Sequence, residues 1–395
     1  MMAMPRIAII GGGPGGLTLA RLLQKHSVAC TVFEKDQDRY ACQRGGSLDL
    51  HPQSGQRALR KAGLWEEFNR HARREAETLR IFSPKGDKLL DESSGEGGRP
   101  EDFNDRPEVD RRVLRRILLD SLKKDTVKWN SKLSEIGETA NGKLRLQFSN
   151  GREEDGFDVA VGADGAWSKV RSKLTEQKPL YSGIGGLECF ISKAESRKPD
   201  LAERVGKGMC LTLGKERGIM AQTNSDGIQI YAFARIPEAW HTESGVDLTA
   251  PEAKQYVIDT LYSDWETTCK RLVLESDMET KARPLYMLPV DFEWPQNSQI
   301  TLMGDAAHLM TPFAGVGVNV AMEDALELCG AIVEARDKGR PVAEALQEYE
   351  VKMWKRAHET AKLNMMYQGL FFHKRGGIAM VEHFEEEKLA EQGKA

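Results

Sequence analysis

The apolar run Ile7-Ala8-Ile9-Ile10 is followed by a glycine-rich turn and then by Leu17, Leu19, Ala20, Leu22 and Leu23 at helical spacing. A second apolar run over 28–33 completes a strand-helix-strand unit of ordinary length. Positions 79–90 alternate around Pro84-Lys85-Gly86-Asp87, which predicts a hairpin. The polar, Gly/Pro-rich stretch 95–107 predicts a long surface loop. Between 108 and 124, Val109, Val113, Leu114, Ile117, Leu118 and Leu122 share one helical face, as a helix lying on a sheet requires. Strands are predicted over 127–129, 143–148 and 157–161, with Asn150-Gly151 as a turn.

From 186 to 236 the pattern changes to strands separated by Gly, Asn and Asp, over 208–213, 218–222 and 227–236. A mostly antiparallel second sheet is the expectation. Helical spacing over 250–274, a strand over 299–303, a second glycine-rich turn and helical spacing to about 371 complete the chain. The fold class is therefore α/β, with the nucleotide-binding part interrupted by the second sheet.

At 395 residues the chain exceeds the usual span of one hydrophobic core, so two packed domains are expected. A net charge of −4 with no basic stripe argues against nucleic acid as a partner. The cysteines Cys30, Cys42, Cys189, Cys210, Cys269 and Cys329 lie far apart with no CxxC pair, which points to a reducing compartment and to neither a disulfide framework nor a metal site. No apolar run approaches the ~20 residues that span a bilayer. The N-terminus leads into a strand without the apolar stretch of a signal peptide. A cytoplasmic, monomeric protein acting on a small molecule, away from membranes, is the expectation.

Gly11-Gly12-Gly13-Pro14-Gly15-Gly16 satisfies GxGxxG: Gly11 for the tight turn, Gly13 for approach to a pyrophosphate, Gly16 for close packing of helix on strand. The helix N-terminus offers free N–H groups to the phosphates. Glu34 ends the next strand, where a carboxylate accepts from ribose hydroxyls. A glycine-rich loop with a surface glutamate is the competing reading. The motif indicates a dinucleotide and leaves FAD and NAD open.

Two further stretches follow strands: Gly162-Ala163-Asp164-Gly165-Ala166-Trp167-Ser168-Lys169-Val170-Arg171, and Gly304-Asp305-Ala306-Ala307-His308 with Pro312-Phe313-Ala314-Gly315-Val316-Gly317-Val318-Asn319. With the first motif they resemble the three signatures of class A flavoprotein monooxygenases, the p-hydroxybenzoate hydroxylase-like family. Gly45 to His51, Ser54-Gly55-Gln56, Lys61 to Leu64, Asp125-Thr126-Val127 and Ser263-Asp264-Trp265 extend the likeness, which is nearest to tetracycline-inactivating monooxygenases of the TetX type.

The resemblance implies a Rossmann-like (GR2-type) FAD-binding domain from 1–75, 105–180 and 285–340. It implies a mostly antiparallel substrate domain from 76–104 and 181–284 and a bridging helix over 341–372; a charged tail over 373–395 follows, outside the likeness. FAD would be held by Gly11, Gly13, Pro14, Gly15, Gly16, Glu34, Lys35, Arg44, Gly46, Arg111, Asp164, Asp305, Pro312, Gly315, Gly317, Val318 and Asn319. Asp305 would take the ribityl or phosphate part, and the helix beginning near Val318 would aim its positive end at the N1–C2=O edge. An exposed loop arginine competes with the flavin role of Arg44, and His308 reads as structural rather than as a general base.

NADPH or NADH, docking transiently, would reduce the flavin, and O₂ would yield a C4a-hydroperoxide that hydroxylates a small polycyclic or aromatic substrate. No side-chain catalyst is required. Lys207, Met209, Gln229, Phe313, Asn364 and Tyr367 are the expected substrate contacts, with packing or surface roles competing at each. The family carries an arginine and a histidine where Lys207 and Gln229 stand, and a glutamine where Val316 stands. These departures keep open a flavoprotein that sequesters a polyketide-like ligand without turnover; a related flavin oxidoreductase is a further alternative.

Overall fold

A computed structural model describes residues 5–41, 45–92 and 105–392. Five parallel strands form one sheet in the order Ile300–Leu302, Val159–Gly162, Ile7–Ile10, Cys30–Phe33, Val127–Lys128. Ile7 to Ile10 are all buried, since both faces are covered, and the helices Pro14–Lys25 and Gly317–Asp337 pack on each other against this sheet. The second sheet has seven strands in the order Lys281–Ala282, Ile184–Ser192, Gly227–Arg235, Arg217–Asn224, Met209–Gly214, Leu79–Phe82, Lys88–Asp91. All its pairings are antiparallel except that of Met209–Gly214 with Leu79–Phe82.

The second sheet alternates as strands with two different faces must. Ile219, Ala221, Ile228, Ile230 and Ala232 enter a core with the helices Glu252–Leu261 and Thr267–Leu274. Met220 and Phe233 face the other way, joining Phe313, Tyr367 and Phe372 in a third core. The helix Val342–Phe371, 30 residues long, reaches both layers: the Tyr349 hydroxyl donates to Leu302 O in the first sheet, while Tyr367 packs in the third core.

The predicted hairpins are present. Gly86 at φ +92 turns the pair Leu79–Phe82 and Lys88–Asp91, and Gly151 at φ +82 turns Leu144–Phe148 into Glu153–Phe157. Three expectations are corrected. The helix expected from 108 starts at Arg111, because Glu108–Asp110 is drawn into a two-stranded ribbon with Ser47–Asp49. The apolar run 157–161 straddles two strands of different sheets, and a strand over Leu133–Glu138 was not foreseen. The expected tail contains the helix Gly377–Gln392, whose Met380 and Phe384, four apart, are buried in the third core. Most of the loop expected over 95–107 lies outside the described residues.

Candidate flavin site

Gly11 sits at φ +115, and a Cβ there would lie 2.2 Å from Ala163 O; a Cβ on Gly16 would lie 2.2 Å from Gly11 O. These two glycines let the strand, the turn and the second signature close on one another. Gly13 differs: no atom lies within 4 Å of where its Cβ would be, so a slot opens in front of the helix Pro14–Lys25. Pro14 and Gly15 open that helix, and its first turn carries no acidic residue, so its positive end is uncompensated.

Glu34 closes the side of this slot. Its Oε2 accepts the Gly12 N–H at 2.5 Å and its Oε1 the Asp36 N–H at 2.9 Å, which leaves lone pairs for a ribose hydroxyl. Lys35 beside it is exposed. Arg115 lies behind: its Nε donates to Gly12 O at 3.2 Å, Nη2 pairs with Asp36 at 2.7 Å, and Nη1 is buried with no partner among the described residues. An orphaned guanidinium N–H beside a glycine-rich slot suits an anionic or hydroxyl-rich ligand.

At the far end, Gly317–Asp337 begins behind a loop whose Pro312, Gly315 and Gly317 are exposed, with Gly315 at φ +67 and open space at Gly317. This helix too has no acidic residue in its first turn. Val316 and Val318 flank Gly317, and Val318 packs on the main core. Asn319 is turned inward instead: its Oδ1 accepts the His51 N–H at 2.8 Å and its Nδ2 donates to Asp49 O at 2.9 Å. Its side chain fixes the helix start to the ribbon rather than reaching the slot. Asp305 is exposed.

Arg111 and Gly46 meet where the two layers approach: Arg111 N donates to Gly46 O at 3.3 Å, and the Tyr231 hydroxyl lies 3.5 Å from where a Gly46 Cβ would be. Gln222, also on the second sheet, accepts the Ser47 N–H at 3.1 Å and donates to both Glu108 oxygens. Burial pushes Glu108 up to about 7, and Asp49 adds to it. Burial likewise pushes the Tyr231 phenol up to about 12, with Glu188 contributing, so it stays a neutral donor. Arg44 lies outside the described residues.

Asp164 accepts the Ser168 hydroxyl at 2.5 Å and the Lys169 N–H at 2.7 Å, closing its own turn; burial raises its pKa against those bonds. His308 is buried and paired with Asp324 at 2.6 Å. Burial opposes its charged form, but Asp324 outweighs that, and its pKa is raised. In Asp324 the same opposition ends with the pKa lowered, as His308 and Arg356 outweigh burial.

The six expected substrate residues separate. Met209, Phe313 and Tyr367 share the third core, and Gln229 lies on the same sheet face, its Nε2 donating to Cys189 O at 3.0 Å. Asn364 is buried and ties the 312–314 turn to the long helix, donating to Thr311 Oγ1 at 2.7 Å and accepting the Ala314 N–H at 3.1 Å. Lys207 does not join them: its side chain is 64% exposed and pairs with Glu195 at 2.8 Å, whose neighbour Ala194 belongs to the opposite core. Lys207 lies before the strand Met209–Gly214 begins, so strand alternation does not align it with Met209. Tyr231, two residues beyond Gln229, and Arg115, four beyond Arg111, were legible by period alone; nothing local marked Asp324 or Gln222.

Residues 5–363 match the family described as FAD binding domain. The chain belongs to that family. Monooxygenase asqM of Emericella nidulans is 32% identical over 376 residues, 82% of each chain. The fold is shared with HpxO of Klebsiella pneumoniae complexed with FAD, at a TM-score of 0.76 and 20% identity over 97% of this chain and 94% of that one. It is shared too with tetracycline destructase Tet(51), at 0.70 and 19% over 99% and 98%. The protein is an FAD-dependent monooxygenase with the class A fold, and the open slot, the free Arg115 N–H and two uncompensated helix ends fit the elongated dinucleotide.

Proposed function

We propose that this monooxygenase uses NADPH or NADH and O₂ to hydroxylate a small aromatic or polycyclic molecule, with tetracycline-like fused-ring polyketides as the class to test first. When bound, FAD supplies hydride acceptance and oxygen activation. The chain holds it at the glycine-rich slot and beside Gly315 and Gly317. The helix Gly317–Asp337 directs a partial positive charge at that end, where negative charge accumulates on reduction.

The observation that carries this reading is the second sheet's face above Gly46. There Tyr231 and Gln229 supply polar atoms, while Met220, Phe233, Phe313 and Tyr367 supply an apolar wall. Such a wall excludes water, and a few placed donors orient a flat ring system. Lys207 on the surface leaves Gln229 to do the orienting on its strand. The fold match with Tet(51) shows the shared fold and carries no substrate identity.

The test is NAD(P)H oxidation by the purified holoenzyme with and without candidate ring compounds, together with product mass. A compound that speeds oxidation and gains one oxygen atom supports the reading. Tight binding without either effect supports sequestration instead.

A further inference from the structure

We propose that Asp324 is a positioning residue for the flavin, fixing the turn Gly304–His308 so that Asp305 presents its carboxylate to the FAD chain. The Asp324 Oδ2 accepts the N–H of Gly304, immediately before Asp305, at 2.8 Å. The same oxygen meets His308 Nε2, at the end of the helical turn Asp305–His308, at 2.6 Å. One atom therefore grips the turn at both ends.

The other oxygen is anchored in turn. Arg356 Nη2, on the long helix, donates to Oδ1 at 2.7 Å, and Arg356 Nη1 donates to Glu327 at 2.5 Å. Asp324 is fully buried, so the grip is shielded from competing water. Within the turn, Ala306, Ala307 and His308 are buried while Asp305 is exposed. Gly304 sits at φ +58 with Ala321 Cβ 3.1 Å from where its own Cβ would be, so the turn is held at a conformation and a spacing that suit glycine. Asp324 thus sets where the exposed carboxylate points without reaching the slot.

The inference rests on the assignment of Asp305 to FAD, and the experiment separates the two. FAD affinity is measured by flavin fluorescence on titrating apoprotein, with apoprotein thermal unfolding recorded beside it. Asp324→Asn is expected to weaken FAD about tenfold, the effect of losing one buried charge-assisted bond. Combined with Asp305→Asn it should cost no more than Asp305→Asn alone, a non-additivity that general loss of stability does not produce. Glu350→Gln, which alters another buried carboxylate on the neighbouring helix, should leave FAD affinity unchanged.

Should Asp324→Asn fail to fold, His308→Ala releases one end of the turn while Asp324 and Arg356 stay paired, and the same non-additivity is expected. Wild-type affinity in the folded Asp324 or His308 variant, or losses that simply add to that of Asp305→Asn, overturns the positioning role. Unchanged affinity in Asp305→Asn strikes the assignment of Asp305 instead, and the proposal with it.

Discussion

The Glu34 carboxylate accepts the Gly12 N–H at 2.5 Å, so the acidic residue at the end of the second strand is bonded directly to the glycine-rich turn. Glu34 therefore shapes the turn as well as closing the side of the slot. Replacing it by alanine should weaken FAD by roughly tenfold or more, since a buried N–H loses its acceptor and the ligand loses one as well. Equilibrium titration of apoprotein with FAD measures this, and unchanged affinity would remove Glu34 from the site.

The glycines separate into two kinds, and alanine substitution tells them apart. Gly11→Ala drives a methyl to 2.2 Å from Ala163 O at φ +115, and should cost several kcal/mol, on the order of 3 or more, of apoprotein stability. Gly317→Ala meets nothing within 4 Å and should leave apoprotein unfolding unchanged while weakening FAD. Thermal unfolding of both apoproteins beside their FAD titrations checks the contrast.

Tyr231→Phe removes a phenol held neutral up to about pH 12 while keeping its ring against the third core. FAD affinity should stay at wild type. The fraction of NAD(P)H oxidation coupled to product should drop, with kcat/KM falling about tenfold for loss of one hydrogen bond to substrate. An unaltered coupling ratio would place the substrate elsewhere.

Glu350 carries a pH dependence of stability. It is buried, its Oε1 accepts from Trp294 and Thr301, its Oε2 has no partner among the described residues, and burial pushes its pKa from 4.5 to about 7. Below about pH 4.5 the carboxyl is neutral folded and unfolded, and it costs nothing. As pH rises from 4.5 to 7 the unfolded chain ionises first, so stability falls, by about 3 kcal/mol in all, and the loss is constant above 7. Glu108, also raised to about 7, acts in the same direction. Glu350→Gln should flatten part of this fall, read from denaturant unfolding at pH 5 and pH 8; an identical pH slope would refute the assignment.

Pattern and turn chemistry revealed the first strand-helix-strand unit, both hairpins and the helical character up to about residue 371, because each is marked by its own local sequence. They failed where the partner lay far along the chain. Glu108–Asp110 reads as the start of a helix until Ser47–Asp49 claims its backbone bonds. Met380 and Phe384 sit four apart in a segment that also carries Ile378, Ala379 and Val381, and they anchor it in the third core, far along the chain from the strands they meet. In the site, glycine spacing and Glu34 stood out because backbone geometry demands them. Asp324 and Gln222 act by reaching across elements, and no local pattern records such a reach.

The parallel pairing of Leu79–Phe82 with Met209–Gly214 bears on how the chain is born. On the ribosome the early hairpin has no neighbour until Met209–Gly214 emerges, and the five-stranded sheet lacks its edge until Ile300–Leu302 follows. The seven-stranded sheet likewise lacks its far edge until Lys281–Ala282 emerges, so the nascent polypeptide carries unsealed sheet borders until both edge strands have followed.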